Sequence, residues 1–460
     1  MRRAFFSAGF LLNTLLNNLL ITLGIFVTCT VLASQPVAAA DLLNIYRSAV
    51  DSDPVYSAAR ASWTAAQEKL PQGRAGLLPQ ASLSASTQHS DRDLSFRDPA
   101  LIGSRSQFNS NSASISVVQP IYRQQNFVAY EQGKTQVALA DAQLATAGQD
   151  LILRVAQAYF DVLLASDNVA FVQAQKTAIG QQLEQAKRNF EVGNATITDT
   201  HEAQARFDLV TAQEIAARND LEVKNRALEQ LIGRSAPGLA ALGKRFEPLP
   251  PTPASMEQWV EQARTVGLSV RIARENLTFF SQDVRRNRGA HHPTLDAFAS
   301  VTESGSGSGT QGGSGTETSS KVIGLQLAIP LYQGGIVNSR VREAVANEEK
   351  ARQDLENALR SAELAARQGY LGVTSGIAQV RALEAALVSS QSSLDSTRLG
   401  QEVGVRTQVD VLNAQQQLFS ARRDLAQARY NYILSLLRLT AATGQLSETD
   451  LQRVNSWLEK

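Results

Sequence analysis

Four histidines and one glycine motif are the residues whose types and spacing could support catalysis. His291 and His292 could suggest a metal pair, but adjacent side chains diverge and no carboxylate motif accompanies them. His201 lies beside Glu202, which favours a solvated pair. The glycines of residues 307–312 have G-x-G-x-x-G spacing, yet they precede a predicted strand, whereas a dinucleotide site follows a strand and opens a helix. We therefore expect no enzymatic activity, no cofactor and no metal site.

Three charged or polar residues near the end of the chain form a pattern that does not suggest catalysis. Arg406, Asp410 and Asn413 lie on one face if this segment is helical. An arginine and an aspartate four positions apart are usually an ordinary solvated pair on a helix surface. Any larger role depends on the elements that position these residues.

The N-terminus has the features of a removable export signal. Arg2 and Arg3 precede an apolar run over residues 10–32, and Ala38-Ala39-Ala40 fits a small-residue cleavage site. We therefore assign residues 1–40 to a signal peptide. A retained membrane anchor is the alternative, because the apolar run is long for a signal.

The composition of the mature chain excludes several classes of protein. Cys29, the only cysteine, lies inside the signal, so disulfides, cysteine nucleophiles and zinc–thiolate sites are excluded. Lipid anchoring at Cys29 is the weaker alternative because Thr28 precedes it. Cleavage leaves 42 basic and 43 acidic residues, a net charge of −1, and so no nucleic-acid partner is indicated. No later apolar run reaches the roughly 18–20 residues of a spanning helix, so this exported chain would cross a membrane with β-strands.

One unit of about two hundred residues occurs twice in the chain. We assign residues 41–232 to a first structural repeat with a helix, two barrel strands and a long helical hairpin. Residues 233–262 form a mixed, proline-rich equatorial linker, residues 263–443 the second repeat, and residues 444–460 a C-terminal equatorial appendage. The pairs that match at shifts of 210 or 211 include Pro120 with Pro330, Tyr122 with Tyr332, Tyr159 with Tyr370, Gly193 with Gly404, Asp199 with Asp410 and Gly233 with Gly444.

Four segments alternate between apolar and polar residues, which predicts strands with one face of each kind. Between the two strands of each repeat we expect a polar loop on the outer surface. Phe298 interrupts the alternation of the third segment. The predicted strands cover residues 81–86, 112–117, 294–301 and 323–329, and the predicted loops cover residues 90–110 and 304–320.

Long helices follow the strands in each repeat. Residues 124–191 and 336–402 contain no proline and are rich in Ala, Gln, Leu and Arg, which are good helix formers. At about 1.5 Å per residue each would reach on the order of 100 Å. Residues 200–231 and 411–440 predict shorter helices that return antiparallel, with coiled-coil-like packing. Glycines that could interrupt the second long helix are Gly369, Gly372 and Gly376.

Four short strands cannot close a membrane barrel, which needs at least about eight. An open sheet would leave unpaired edges, which lipid does not tolerate. The barrel must therefore be shared between chains. Two, three or four copies would give eight, twelve or sixteen strands, with the polar faces lining a water-filled bore.

Several stretches carry a family resemblance: Leu78-Pro79-Gln80, Ala158-Tyr159-Phe160, residues 195–199, residues 329–335, residues 409–412 and residues 428–432. With the duplication, they make the chain similar to the TolC family of outer-membrane efflux proteins across residues 41–457. The resemblance implies a mixed α/β membrane protein. Its four strands per chain would contribute to a shared 12-stranded trimeric β-barrel, continued by a long α-helical coiled-coil barrel.

The same resemblance implies the function and the partners. The chain would be a passive exit duct in the cell outer membrane that extends into the periplasm, serving a tripartite efflux pump or a type I secretion system. It would form a homotrimer in outer-membrane lipid. It would also dock to a periplasmic adaptor (membrane fusion) protein and an inner-membrane pump or ABC secretion ATPase.

The resemblance also assigns roles at the closed tip of the helices. Asp410 matches a ring of acidic side chains that constricts the bore. Asn413 stands where the family pattern has a second aspartate, so a weaker cation trap is expected. Arg406 and Asp199 match residues that clasp the helices shut, and Gln401 stands where that clasp has a tyrosine.

The breaks between the paired helices fall at Val192-Gly193 and Val403-Gly404. From the residues alone these are plain helical turns, which glycine suits. The resemblance adds that they contact the adaptor, and both interpretations stand together.

Tyr122 and Tyr332 each follow a strand and a proline. Tyrosine suits the membrane–water interface, and packing where strand becomes helix is the alternative. The remaining alternative for the whole chain is a soluble periplasmic coiled-coil adaptor, which would explain the helices but not the four strands.

Overall fold

The structure, a computed structural model, describes residues 40–459 apart from residues 99, 101, 194, 237, 244–245 and 312–313. The predicted signal peptide, residues 1–40, lies outside the described residues except for Ala40. The last residue of the predicted C-terminal appendage also lies outside them. The described part folds into one four-stranded sheet and a series of helices, with a strand pair and a long helical hairpin in each half of the chain.

The four strands form one sheet in the order β1–β2–β3–β4, and each neighbouring pair is antiparallel. Strand β2 of the first half pairs with β3 of the second, so the sheet joins the two repeats. In the described part of the chain, β1 and β4 each have an outer edge without a partner. The strands are β1 (Gln80–Leu94), β2 (Ser104–Tyr122), β3 (Thr294–Gln311) and β4 (Ser314–Ala328).

The predicted polar loops, residues 90–110 and 304–320, are wrong in extent because most of these residues belong to the strands. Only nine positions separate β1 from β2, and two separate β3 from β4. Small polar side chains pair across the strands: the Oγ atoms of Ser86 and Ser112, for example, are 2.9 Å apart. Such cross-strand pairs stabilise a sheet even where the sequence is hydrophilic.

The two faces of the sheet differ in polarity. Ile115, Ile323 and Leu325 are on one face and have 55%, 87% and 68% of their surface exposed. The opposite face carries hydroxyl pairs such as Ser114 and Thr302, whose oxygens are 2.8 Å apart. One face therefore suits lipid and the other suits water, as the alternating sequence predicts.

Two long helical hairpins extend from the sheet. The first hairpin is α4 (Gln124–Glu191) with α5 (Ile197–Ile232), and the second is α8 (Ile336–Glu402) with α9 (Gln408–Ala442). The long helices begin and end where the sequence predicts, and the return helices are a few residues longer at each end. At 68 and 67 residues, α4 and α8 are each about 100 Å long.

Helix α8 runs without a break through Gly369, Gly372 and Gly376. A Cβ atom at Gly369 would lie 3.0 Å from the Cα atom of Leu439, and one at Gly376 would lie 3.4 Å from Tyr432 Cβ. These glycines let α8 approach α9 closely, and they do not interrupt the helix as the sequence suggested they could.

Helix α8 is also more apolar than expected from the sequence, which predicted no later apolar run long enough to span a membrane. An 18-residue window within it has a mean hydropathy of 1.2, which satisfies a length and composition test for a membrane span. Val373 and Val380 in this helix are fully buried against α9, so part of the apolar surface serves packing between helices. A helix of about 100 Å also far exceeds the roughly 30 Å of a bilayer core.

Shorter helices pack against the hairpins from their middle, where the main core lies, up to the sheet. Tyr159 and Phe160 of α4 are buried, and the Phe160 ring stacks on Tyr430 of α9 at 5.4 Å. The Tyr159 hydroxyl donates to the Ala240 carbonyl at 2.7 Å, which fastens the segment between the halves to α4. The shorter helices are α1 (Leu42–Ser52), α2 (Pro54–Gln67), α3 (Lys69–Ala75), α6 (Met256–Val266), α7 (Leu268–Arg288) and α10 (Glu448–Asn455).

A buried ion pair joins α2 to this core. Asp53, with only 3% of its side chain exposed, accepts from both terminal nitrogens of Arg154 at 3.2 and 2.7 Å. It also caps α2 by accepting from the Tyr56 backbone N–H at 2.9 Å. The Arg154 guanidinium holds the pKa of the Asp53 carboxyl below its usual range.

We expect Asp53→Ala to lower the free energy of unfolding by about 2–3 kcal/mol, because it removes a helix cap and leaves Arg154 without its partner. Since the folded-state pKa is depressed, the contribution of the charge is present above about pH 4 and is lost in stronger acid. Thermal unfolding in detergent at several pH values measures this. Asp51→Ala, an exposed neighbour, is the matched control; equal melting of Asp53→Ala and wild type at neutral pH would contradict the assignment.

Candidate gate at the helical tips

The two hairpins turn in the same way, far from the sheet. Gly193 and Gly404 follow the last residues of α4 and α8 with φ angles of 77° and 78°. This left-handed conformation is costly for any residue with a Cβ atom. The flanking Val192 and Val403 have 68% and 67% of their surface exposed. The predicted tip residues are therefore apolar groups held at the ends of rigid turns.

Each return helix starts with the same capping box. Thr196 Oγ1 accepts from the Asp199 backbone N–H at 3.3 Å, and the Asp199 carboxylate accepts from the Thr196 N–H at 2.9 Å. Thr407 and Asp410 repeat this arrangement, at 3.2 and 2.9 Å. This role was not predicted from the sequence, although a threonine three residues before an acidic residue is a known capping signature.

The cap uses only one oxygen of the Asp410 carboxylate. The Thr407 N–H and hydroxyl both donate to Oδ2, while Oδ1 accepts no hydrogen bond within the described part of the chain. The backbone and hydroxyl of Thr407, followed by the charge of Arg406, lower the pKa of Asp410. The partly exposed Asp410 carboxylate is therefore held ionised.

Two of the predicted clasp residues, Arg406 and Gln401, are near the turn of the second hairpin, and Asp199 is near the turn of the first. Arg406 folds over Gly400, where a Cβ atom would lie 2.8 Å from Arg406 Cγ. Gln401 donates to the side chain of Gln408. The Asp199 carboxylate bonds only to Thr196 among the described residues. Among the described residues of one chain, Arg406 and Asp199 therefore form no ion pair.

The structure instead links Asn413 to the first hairpin. Arg206 of α5 donates to Asn413 Oδ1 at 3.0 Å, across 207 positions of sequence. Beside them, Val210 of α5 and Leu412 of α9 pack together with Ile179 of α4. Arg206 could not be identified from the sequence, because no local pattern indicates a contact between two helices that are distant in sequence.

The predicted interface tyrosines lie where the sheet meets the helices. Tyr332 has 87% of its surface exposed between β4 and α8. Tyr122 is 37% exposed at the end of β2, and its hydroxyl is 3.4 Å from Nδ1 of His292. His291 instead contacts Asn338 at 3.2 Å. Among the described residues, no group of three metal-ligating side chains could hold a metal ion.

Comparison with known proteins gives the context of this geometry. The family model described as "Outer membrane efflux protein" matches residues 45–234 and 259–445. The Vibrio cholerae outer membrane protein TolC is 38% identical over 432 residues, which is 93% of this chain and 95% of that protein. The alkaline protease secretion protein AprF of Pseudomonas aeruginosa is 34% identical, over 92% of this chain and 88% of that protein.

A solved structure shares the fold at low sequence identity. The Campylobacter jejuni CmeC outer membrane channel superposes with a TM-score of 0.76 at 18% identity, covering 90% of this chain and 89% of that one. The expected fold class is confirmed: the chain has four strands and long helices, as the TolC-like channels do, and this fits a shared trimeric barrel continued by a helical coiled coil. This chain therefore belongs to the outer membrane efflux protein family, together with TolC, and is an exit duct of the outer membrane for efflux or secretion.

Proposed function

We propose that this chain assembles as a homotrimer that conducts passively and catalyses no reaction. The observation that carries the proposal is the incomplete sheet. Its two outer edges, on β1 and β4, have no partner in the described chain, and its apolar face is exposed. Lipid does not tolerate the unpaired edges, and water does not favour the exposed apolar face. Three copies remove both edges and enclose the hydroxyl-bearing face, and the same exposed face argues against the soluble adaptor.

The mass of the detergent-solubilised mature protein tests this assembly. Native mass spectrometry should give three times the chain mass. Charged substitutions on the outermost strands, such as Leu83→Glu on β1, should reduce the trimer fraction. A wild-type protein that remains monomeric in several detergents would refute the homotrimer.

The gate of this duct is the periplasmic end of the hairpins. Asp410 and Asn413 from each protomer would form the constriction, and the ionised Asp410 carboxylates supply its charge. Arg406, Asp199 and Gln401 would clasp the closed tip between helices. Their position beside the turns supports this role, since a small movement there changes the width of the end of the tube.

The tips would also dock the partners of the duct. Val192-Gly193 and Val403-Gly404 present exposed valines on left-handed turns, a small apolar surface suited to another helical protein. The specific partners we propose are a periplasmic adaptor (membrane fusion) protein and an inner-membrane pump or ABC secretion ATPase. The similarity to a TolC protein and to a protease secretion protein supports both kinds of system. Tyr122 and Tyr332 would lie at the periplasmic interface of outer-membrane lipid.

A further inference from the structure

The contact between Arg206 and Asn413 concerns the gate itself. Nη2 of Arg206 donates to Asn413 Oδ1 at 3.0 Å, and Nη1 is 3.5 Å from Oε1 of Gln416. One guanidinium on α5 therefore reaches two amide acceptors one turn apart on α9. Its geometry is that of a planar fork bridging two helices.

This bridge is isolated near the tip. Within the described part of the chain, the side-chain hydrogen bonds between α5 and α9 are those of Arg206. The next polar link between the hairpins, from Tyr430 of α9 to Asp167 of α4, lies 17 residues farther along α9, which is about 25 Å. Between these two levels, a cavity of about 400 Å³ separates α5 from α9 beside Phe419.

Glu202 competes with Asn413 for the Arg206 guanidinium, but its contact is the longer one. Glu202, on the same helix, lies 3.5 Å from Nη2, and only 26% of the Arg206 side chain is exposed. The shorter bond goes to the neutral amide of Asn413, three residues from Asp410 on α9. The guanidinium therefore adds a positive charge about one helical turn from the Asp410 carboxylate.

We propose that Arg206 is a positioning residue of the gate, which holds α9 of the second hairpin against α5 of the first while the tip is closed. Its charge also offsets the acidic constriction. The inference rests on the gate proposed above and deepens it. An asparagine at position 413 then has a function of its own, because its carbonyl oxygen receives the guanidinium.

Single-channel recording in planar lipid tests the bridge with a double-mutant cycle. We expect Arg206→Ala and Asn413→Ala each to raise the conductance of the resting channel several-fold, and the double variant to raise it no further. Arg218→Ala is the matched control, because Arg218 lies on the same helix and, within the described ranges, pairs with Glu214 of that helix alone. The trimer fraction of each variant is measured alongside.

Ion selectivity separates the charge from the mechanical link. Arg206→Ala should shift the reversal potential toward cation selectivity, whereas Asn413→Ala should leave it in place. If the wild-type protein forms pores and Arg206→Ala has the same conductance as wild type, the bridge is overturned. It is also overturned if the conductance increases of the two single variants add up in the double variant. An unshifted reversal potential in Arg206→Ala would overturn its electrostatic part. Absence of any wild-type pore would refute the proposed duct instead.

Discussion

An Asp410→Ala channel should keep conducting at concentrations of multivalent cations that block the wild-type channel. Three ionised carboxylates in a narrow bore attract such cations strongly, and removing them should raise the half-blocking concentration by roughly tenfold or more. The structure supports the charged state, since the Thr407 bonds lower the pKa of Asp410. Block of single-channel current by a trivalent cation, titrated from the periplasmic side, measures the effect.

The capping role of Asp410 requires a matched control. Asp199→Ala removes the same capping box from α5 and leaves Asp410 in place. If the carboxylate ring binds the cation, block should be weakened in Asp410→Ala and retained in Asp199→Ala. Retained block in Asp410→Ala would exclude the ring, and equal weakening in both variants would assign the effect to loss of a cap.

The second large effect is expected at Arg406. Its stem folds over Gly400 at the end of α8, and its charge lies close to the cap of α9. Replacing it with serine removes both contacts, so Arg406→Ser should loosen the tip and raise the resting conductance several-fold. Single-channel conductance in the absence of blocking cations is the measurement.

Removal of an equivalent charge elsewhere at the tip controls for electrostatics. Arg188 lies on α4, one turn from the first hairpin turn, and is exposed. Arg188→Ser should leave the conductance near that of wild type. The clasp assignment of Arg406 would be abandoned if Arg406→Ser conducted like wild type, or if both variants rose equally.

The long helices could be predicted from sequence because their signals are local. Residues 124–191 and 336–402 lack proline and end at Val-Gly pairs, and the helices of the structure have these bounds. The glycines inside α8 suggested breaks in the helix that are not present, because Gly369 and Gly376 allow close packing against α9. Propensity describes a residue within its own helix, whereas packing depends on the neighbouring helix.

The strands were only partly predictable for a related reason. Apolar alternation marked the part of each strand that carries the apolar face. The hydrophilic extensions, such as the segment of β1 around Ser86, depend on partners in the next strand. A serine-rich segment has loop-like composition until its cross-strand pairs are known.

The proposed gate was also only partly predictable from the sequence. The capping boxes at Asp199 and Asp410 can be identified from the sequence, because a threonine stands three residues before each aspartate. The contact of Arg206 with Asn413 spans 207 positions and has no local signature. The proposed ring of Asp410 carboxylates needs neighbouring copies of the chain, so it could be assigned only from the resemblance to the family.

The central claim is that several copies of an incomplete sheet enclose a water-filled tube that is narrowed at its periplasmic end. Recording from the purified mature protein in a planar lipid bilayer tests it most directly. Trimers should give discrete conductance steps, with small resting currents that multivalent cations block from the periplasmic side. A pure, folded protein that never produces conducting steps in the bilayer would contradict it.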